Sequence, residues 1–169
     1  MRVVAGDLRG RRIEGPEGEA TRPTTDKVRE AVFNALNSMN AVREERVIDL
    51  FAGSGALGIE ALSRGAAHCV FVENNRSALG VLRGNLAALG LEERSLVVVL
   101  DIAAHSSRQR LSELLASTHL VLADPPYAPG SGTAAVHAVA AALGGTHRLF
   151  ARAAASRPAR FASTDLPIP

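Results

Sequence analysis

The sequence contains a single cysteine, Cys69, which lies in an apolar run. One cysteine excludes a disulfide within the chain and agrees with a reducing compartment, so we interpret Cys69 as a small buried core residue. The chain also has no uninterrupted apolar stretch near the roughly 18 residues that span a bilayer. Its first residues lack the apolar region of a signal peptide. We therefore expect a cytoplasmic protein with no membrane segment.

Lysine is almost absent, since Lys27 is the only one, and the basic residues are nearly all arginine. The net charge is +2 and the sequence pI is about 9.3, a mildly basic balance that permits a nucleic-acid partner without requiring one. Arginine suits phosphate groups, although a general bias toward alanine, arginine and glycine explains the same count. A length of 169 residues with 47% hydrophobic residues predicts one globular domain.

Hydrophobic periodicity predicts strands that alternate with helices along most of the chain. We expect strands at 47–51, 69–72, 96–100 and 120–123, and helices at 59–64, 77–89, 111–115 and 133–143, with an earlier helix that opens after Thr24 or Thr25. This alternation predicts an α/β fold with a mostly parallel sheet covered by helices on both faces.

Each of the four predicted strands ends at or near an acidic residue: Asp49, Glu73, Asp101 and Asp124. Parallel strands end at one edge of the sheet, where open α/β proteins bind their ligands. Four carboxylates at that edge would repel one another unless a ligand with many hydrogen-bond donors lies among them. The pattern predicts a polar ligand across this edge.

A glycine-rich loop follows the first strand, where Gly53, Gly55 and Gly58 fit the pattern G-x-G-x-x-G. Glu73 lies where a nucleotide-binding protein places its ribose-binding acid. Loop and acid together do not distinguish a nicotinamide cofactor from S-adenosylmethionine, since both carry a ribose diol. Asp49 favours the second, because a carboxylate would repel a pyrophosphate but could pair with an ammonium group.

The fourth strand is followed by Asp124, Pro125, Pro126 and Tyr127. Two prolines make this corner rigid, and carboxylate and carbonyl oxygens could accept hydrogen bonds from a planar amino group while the tyrosine ring stacks on it. An ordinary strand-ending turn is the alternative. We interpret the four residues as a candidate catalytic site for chemistry on an exocyclic amine.

The segment Arg22–Glu30, the run Asp49–Ala66 and the tetrapeptide Asp124–Tyr127 together resemble the RsmD family. These are bacterial methyltransferases that modify the exocyclic N2 of a guanine in small-subunit (16S) ribosomal RNA. The resemblance runs from Met1 to about Leu143. It implies a Rossmann-like class I methyltransferase fold, S-adenosylmethionine as cofactor, and ribosomal RNA or the small ribosomal subunit as partner. We expect no metal, since methyl transfer needs none and no cluster of histidine or cysteine suggests one.

By position, the resemblance implies three groups of site residues. The catalytic group is Asp124, Pro125, Pro126 and Tyr127. The cofactor group is Asp49, Phe51, Ala52, Gly53, Ser54, Gly55, Gly58, Glu73, Asn74, Asp101 and Ile102, with Glu73 on the ribose hydroxyls, Asp101 on the adenine amino edge and Ile102 packed on the ring. The RNA-binding group is Arg9, Arg11, Arg12, Arg22 and Thr24, although solvated arginines and helix-capping threonines explain these positions equally well.

We expect three units: an N-terminal hairpin arm at 1–20, a methyltransferase domain at 21–145 and an irregular tail at 146–169. In the tail, 147–155 could supply one short strand or helix. The tail does not resemble the family and is short for a complete fold, so we expect an uncovered sheet edge or face beside the fourth strand. Three alternatives stay open: an adenine-N6 methyltransferase on DNA or RNA, a C-terminally truncated inactive remnant that only binds S-adenosylmethionine or RNA, and, last, a nicotinamide oxidoreductase.

Overall fold

The structure is a computed structural model that describes residues 1–15 and 26–125, together with the backbone of two strands at 148–151 and 162–163. The other residues, which include Pro126, Tyr127, Arg22 and Thr24 and the predicted helix at 133–143, lie outside this described part.

From residue 26 to residue 123, the described α-helices and strands alternate as predicted. In chain order they are α1 (Asp26–Ser38), β1 (Arg46–Leu50), α2 (Ala56–Ser63), β2 (His68–Glu73), α3 (Arg76–Leu89), β3 (Ser95–Val99), α4 (Arg108–Ala116), β4 (Leu120–Ala123), β5 (Arg148–Ala151) and β6 (Ala162–Ser163). Helix α2 begins three residues before the predicted start, because Gly55 in the left-handed conformation (φ 84°) lets the chain turn directly into it.

The strands form one sheet in the order β3-β2-β1-β4-β5-β6. All neighbouring pairs are parallel except β5 and β6, which are antiparallel. The edge beside the fourth strand is covered, contrary to the first half of our expectation, since Arg148–Ala151 pairs with β4 there. An uncovered face beside this strand stays a prediction, because it depends on residues outside the described part. Strand β5 falls within the segment 147–155 and lies beyond the predicted boundary at 145; the division into three units stays a prediction.

Two apolar clusters cover the sheet, one on each face. Side chains of α1, α2 and α3 pack on one face around Phe33, Phe71 and Leu82. Helix α4 packs on the other face with Leu111, Leu114 and Leu115. Cys69 is fully buried in the first cluster, as predicted, and burial raises the pKa of its thiol. No helix in the described part of the chain is long and apolar enough to cross a membrane.

The N-terminal arm is less open than a surface hairpin. Its two sides pair through Arg2 and Arg12, and Val3 and Ile13 are buried in the core. Glu60 of α2, itself fully buried, accepts hydrogen bonds from the amides of Val4 (2.8 Å) and Ala5 (3.0 Å). The arm is therefore part of the packed fold.

Candidate functional site

The carboxyl ends of β1, β2 and β4 come together because the order of the sheet reverses at β1. The chain runs outward from β1 through β2 to β3, then returns to place β4 on the other side of β1. Leu50 is level with Val72 on one side and with Ala123 on the other. A crevice at such a point, outside the carboxyl ends, is the usual ligand site of open α/β sheets.

Asp49, Glu73 and Asp124 belong to the same face of the sheet at this edge. Asp49 is level with Phe71 in β2 and with Leu122 in β4, and Glu73 and Asp124 each come two residues later, which preserves the face. The charges of Asp124 and Glu73 both act on Asp49. The structure therefore brings these three predicted strand-end acids together, and the fourth, Asp101, lines a pocket that Glu73 also lines.

Asp49 is almost completely buried, at 1% exposure. Its Oδ2 accepts a hydrogen bond of 2.8 Å from the amide of Gly58, in the first turn of α2. Burial raises the pKa of Asp49 well above its ordinary value; the Gly58 amide opposes this, and the charges of Asp124 and Glu73 add to it. A cation beside Asp49 would relieve this electrostatic cost.

Glu73 fastens the glycine loop, residues 52–58, to the end of β2. Its Oε2 accepts from the amide of Gly53 at 2.8 Å. Its Oε1 accepts from the amides of Asn74 (2.9 Å) and Asn75 (2.8 Å). An ionised carboxylate has about four lone-pair positions, so a half-buried Glu73 retains room to accept from a ligand's hydroxyl groups.

The glycine loop leaves β1 through Phe51, whose φ of 63° lies in the left-handed region that a bulky residue rarely adopts. Gly55 and Gly58 are required because there is no room for a side chain at either position. A Cβ on Gly58 would come within 2.2 Å of Phe71 Cε1, and one on Gly55 within 2.5 Å of Leu82 Cδ1. Gly53 faces open space instead, with a φ of +55°. The loop is therefore packed at its helix end and open at its strand end.

A pocket lies between the ends of β2 and β3. It combines two carboxylates with apolar side chains, and its lining residues are Phe51, Val72, Glu73, Asn74, Leu100, Asp101 and Ile102. Five of these are in the predicted cofactor group. Sequence reasoning missed Val72 and Leu100, although their position at the ends of two strands was a usable signal. Asp101 is exposed, and its Oδ1 accepts from the amide of Ala103 at 3.0 Å.

On the β4 side of β1, Asp124 is half-buried and Pro125 is buried. Pro126 and Tyr127, the other members of the predicted catalytic group, lie outside the described residues. The predicted cofactor pocket therefore lies on the β2 side of β1 and the predicted amine-binding corner on its β4 side.

Arg9, Arg11 and Arg12 are exposed on the arm. The Arg11 guanidinium donates to the carbonyl of Ala88, near the end of α3, at 2.9 Å. Arg22 and Thr24 lie outside the described residues. The structure thus places three arginines on one accessible segment, and their proposed role in RNA binding stays a prediction.

Sequence reasoning missed a buried charged cluster beneath the arm. Glu60 Oε1 pairs with Arg64 Nε at 2.7 Å, and Glu60 Oε2 lies 3.4 Å from Arg29 Nε. Arg29 is fully buried; it also pairs with Asp26 at 2.8 Å and donates to the carbonyl of Arg2. Arg29 and Glu60 lie inside the segments that carry the family resemblance, so part of that resemblance reflects how the arm is held.

The chain is similar in sequence to known proteins. Residues 1–151 match a family described as "conserved hypothetical protein 95". YlbH of Bacillus subtilis (strain 168), whose name classes it with the rRNA methyltransferases, is 41% identical over 129 residues, which are 75% of this chain and 67% of YlbH. Ribosomal RNA small subunit methyltransferase D of Escherichia coli (strain K12) is 36% identical over 130 residues, 77% of this chain and 62% of that protein. The chain therefore matches about two thirds of the length of these relatives.

A solved structure shares the fold. The Escherichia coli protein yhhF, titled as a methyltransferase, superposes with a TM-score of 0.69 at 32% sequence identity. The match covers 89% of this chain and 79% of that one.

Proposed function

The chain belongs to the RsmD family of methyltransferases, and from this premise we propose that it transfers a methyl group from S-adenosylmethionine to the exocyclic N2 of a guanine in 16S ribosomal RNA. The observation that carries the proposal is the pair of sites that flank β1. A pocket with two carboxylates lies on the β2 side, and Asp124 lies on the β4 side. The names of the curated relatives support the RNA substrate.

The residues of the pocket fit a sulfonium nucleoside. Glu73 can accept from the two ribose hydroxyls, and Asp101 can accept from the adenine amino group. Ile102 and Leu100 offer apolar surface to the ring. Asp49 suits a cationic ligand, because its buried carboxyl is held near two other acids. The cofactor supplies an electrophilic methyl group when it is bound.

The acceptor corner activates the amine. The lone pair of guanine N2 is delocalised into the ring, so the amine is a weak nucleophile. The Asp124 carboxylate and the Pro125 carbonyl would accept its two N–H groups and localise that lone pair on nitrogen. Tyr127 would stack on the base, which must leave its helix or loop to be reached. Positioning and electrostatics are the main contributions.

The N-terminal arm would hold the RNA. Arg9, Arg11 and Arg12 are exposed and would contact phosphates, which supply most of the affinity but none of the sequence preference. Arg22 and Thr24 complete this group in the proposal. A ribosomal RNA substrate also fits the expected cytoplasmic location.

Labelled methyl transfer tests the proposal. The purified chain is incubated with methyl-labelled S-adenosylmethionine and small ribosomal subunits that lack the modification, and the RNA is digested to nucleosides. The expected product is N2-methylguanosine in 16S RNA. N6-methyladenosine, or labelling of duplex DNA, would replace the proposal by the adenine-N6 alternative. Cofactor binding without transfer to any substrate would favour the inactive remnant.

A further inference from the structure

Asn85 links the N-terminal arm to the glycine loop. It lies on the buried face of α3 and is 4% exposed. Its side-chain carbonyl accepts from the amide of Glu14 at 2.9 Å. Its side-chain nitrogen donates to the carbonyl of Glu14 and to the carbonyl of Ser54, both at 2.9 Å. One amide therefore holds the last part of the arm and the middle of the loop.

The chemistry of these three contacts specifies asparagine. Its two N–H groups meet two carbonyls, and its oxygen meets one N–H. An aspartate of the same shape would turn oxygen toward both carbonyls, and an apolar residue would leave three backbone groups without this partner. Asn85 interrupts the apolar positions Leu82, Leu86 and Leu89 on the face of α3. That interruption is a usable signal in the sequence, and sequence reasoning missed it.

The loop is fastened at three points by three side chains. Glu73 holds the amide of Gly53, Asp49 holds the amide of Gly58, and Asn85 holds the carbonyl of Ser54 between them. Glu73 also lines the predicted cofactor pocket, whereas Asp49 is buried. Asn85 also bonds to Glu14 of the arm, so it connects the loop to the arm.

We infer that Asn85 is a positioning residue that couples cofactor binding in the glycine loop to the order of the arm. Since coupling between two sites is reciprocal, a cofactor that orders Ser54 stabilises the arm at Glu14, and an RNA that holds the arm tightens cofactor binding. This inference depends on the proposed function for the identity of the cofactor. It adds a route by which the binding of cofactor and the binding of RNA favour each other.

Amide hydrogen exchange tests the coupling in the wild-type chain. S-adenosylhomocysteine, the product that S-adenosylmethionine leaves after methyl transfer, is first titrated by calorimetry, and exchange is then measured with and without saturating ligand. The Glu14 amide should exchange about tenfold more slowly with ligand, a typical size for coupling between sites. The amide of Gly10, which donates to Val3 in the arm, is the internal control and should slow much less. Equal slowing of both amides, or none at Glu14, would overturn the inference.

Two variants make the test specific. Asn85→Asp should weaken the binding of S-adenosylhomocysteine about five- to tenfold. It should also abolish the slowing of Glu14 amide exchange by the ligand. Thr118→Val removes a buried hydrogen bond to Leu114, on α4, and should leave ligand affinity within about twofold. Equal affinities in the two variants would count against the coupling. If Asn85→Asp does not fold, the wild-type exchange data still decide the question.

A wild-type chain that binds no S-adenosylhomocysteine would refute the proposed function and this inference together. A chain that binds it with no selective protection at Glu14 would refute the coupling alone.

Discussion

Glu60 and Glu73 both bind backbone amides through their carboxylates, but one is buried among arginines and the other lines a pocket. Each carboxylate accepts hydrogen bonds from backbone amides that belong to a distant segment: Val4 and Ala5 for Glu60, Gly53 for Glu73. Glu60 is fully buried and paired with two arginines. Glu73 is half-buried in a pocket, and no arginine or lysine pairs with it among the described residues.

The contrast shows where each carboxylate's hydrogen-bonding capacity is used. Both carboxylate oxygens of Glu60 are occupied, each by one arm amide and one arginine, so the group stabilises the arm and has no acceptor position left for a ligand. Around Glu73 the backbone contacts set the shape of the loop while one side faces the pocket. We therefore expect substitution of Glu60 to lower the stability of the fold and substitution of Glu73 to weaken ligand binding.

The largest expected effect is on stability, from Glu60→Ala. Removing one partner of a buried ion pair leaves the other charges uncompensated, which costs about 3–5 kcal/mol. Two arm amides lose their acceptor as well. The free energy of unfolding is measured by urea denaturation. The matched control is Glu113→Ala, whose half-exposed pair with Arg110 (3.1 Å) should be worth under about 1 kcal/mol. Similar losses in the two variants would remove the distinction.

The second effect is on activity, from Asp124→Ala. Loss of the acceptor that localises the amine's lone pair should lower methyl transfer about 100- to 1,000-fold, the size seen when a preorganised group is removed. S-adenosylhomocysteine affinity should change far less than the rate, because Asp124 does not line the pocket between β2 and β3. The methyl-transfer rate of Asp124→Asn should fall between those of the wild type and Asp124→Ala. Turnover at the wild-type rate in Asp124→Ala would remove Asp124 from the mechanism.

The third effect is on cofactor affinity, from Glu73→Ala. The variant loses the ribose acceptor and the fastening of Gly53, so S-adenosylhomocysteine should bind about 10- to 100-fold more weakly, as expected for one or two charged hydrogen bonds. Calorimetry measures the affinity, and denaturation should show a smaller loss than in Glu60→Ala. If the order of the two variants is reversed, with Glu73 the more important for stability, the comparison fails.

The smallest expected effect concerns pH and Asp49. Because burial raises its pKa in the folded protein, the folded chain holds a proton that the unfolded chain loses above about pH 3.9. Stability should therefore fall as pH rises from there to the raised value, by up to about 1.4 kcal/mol per pH unit. Asp49→Asn keeps the acceptor for Gly58 and removes this slope. Denaturation of both chains across this pH range checks it, and equal slopes would contradict it.

The sequence predicted the parallel sheet because its signals are local. Apolar runs, capping glycines and strand-end acids fix the elements and their shared edge. The pocket followed from the same logic, since Glu73, Asp101 and Ile102 all come at or just after a strand end. The resemblance to a family added the expectation of S-adenosylmethionine, where spacing alone left two cofactors open.

The contacts between distant segments could not be predicted in this way. Glu60 and Arg29 look like ordinary solvated charges on their helices, and their burial depends on the arm folding over α2. The contacts of Asn85 could not be predicted for the same reason, because its partners Glu14 and Ser54 come from two other segments. The pairing of β5 with β4 was also not predicted, because nothing in residues 148–151 indicates which strand this short segment pairs with.

The most direct measurement is a crystal structure of the chain with S-adenosylhomocysteine. We expect a nucleoside between the ends of β2 and β3, with Glu73 on the ribose hydroxyls, Asp101 at the adenine edge and the sulfur directed across β1 toward Asp124. A ligand bound elsewhere, or one that leaves Glu73 in contact with the backbone amides alone, would contradict this arrangement.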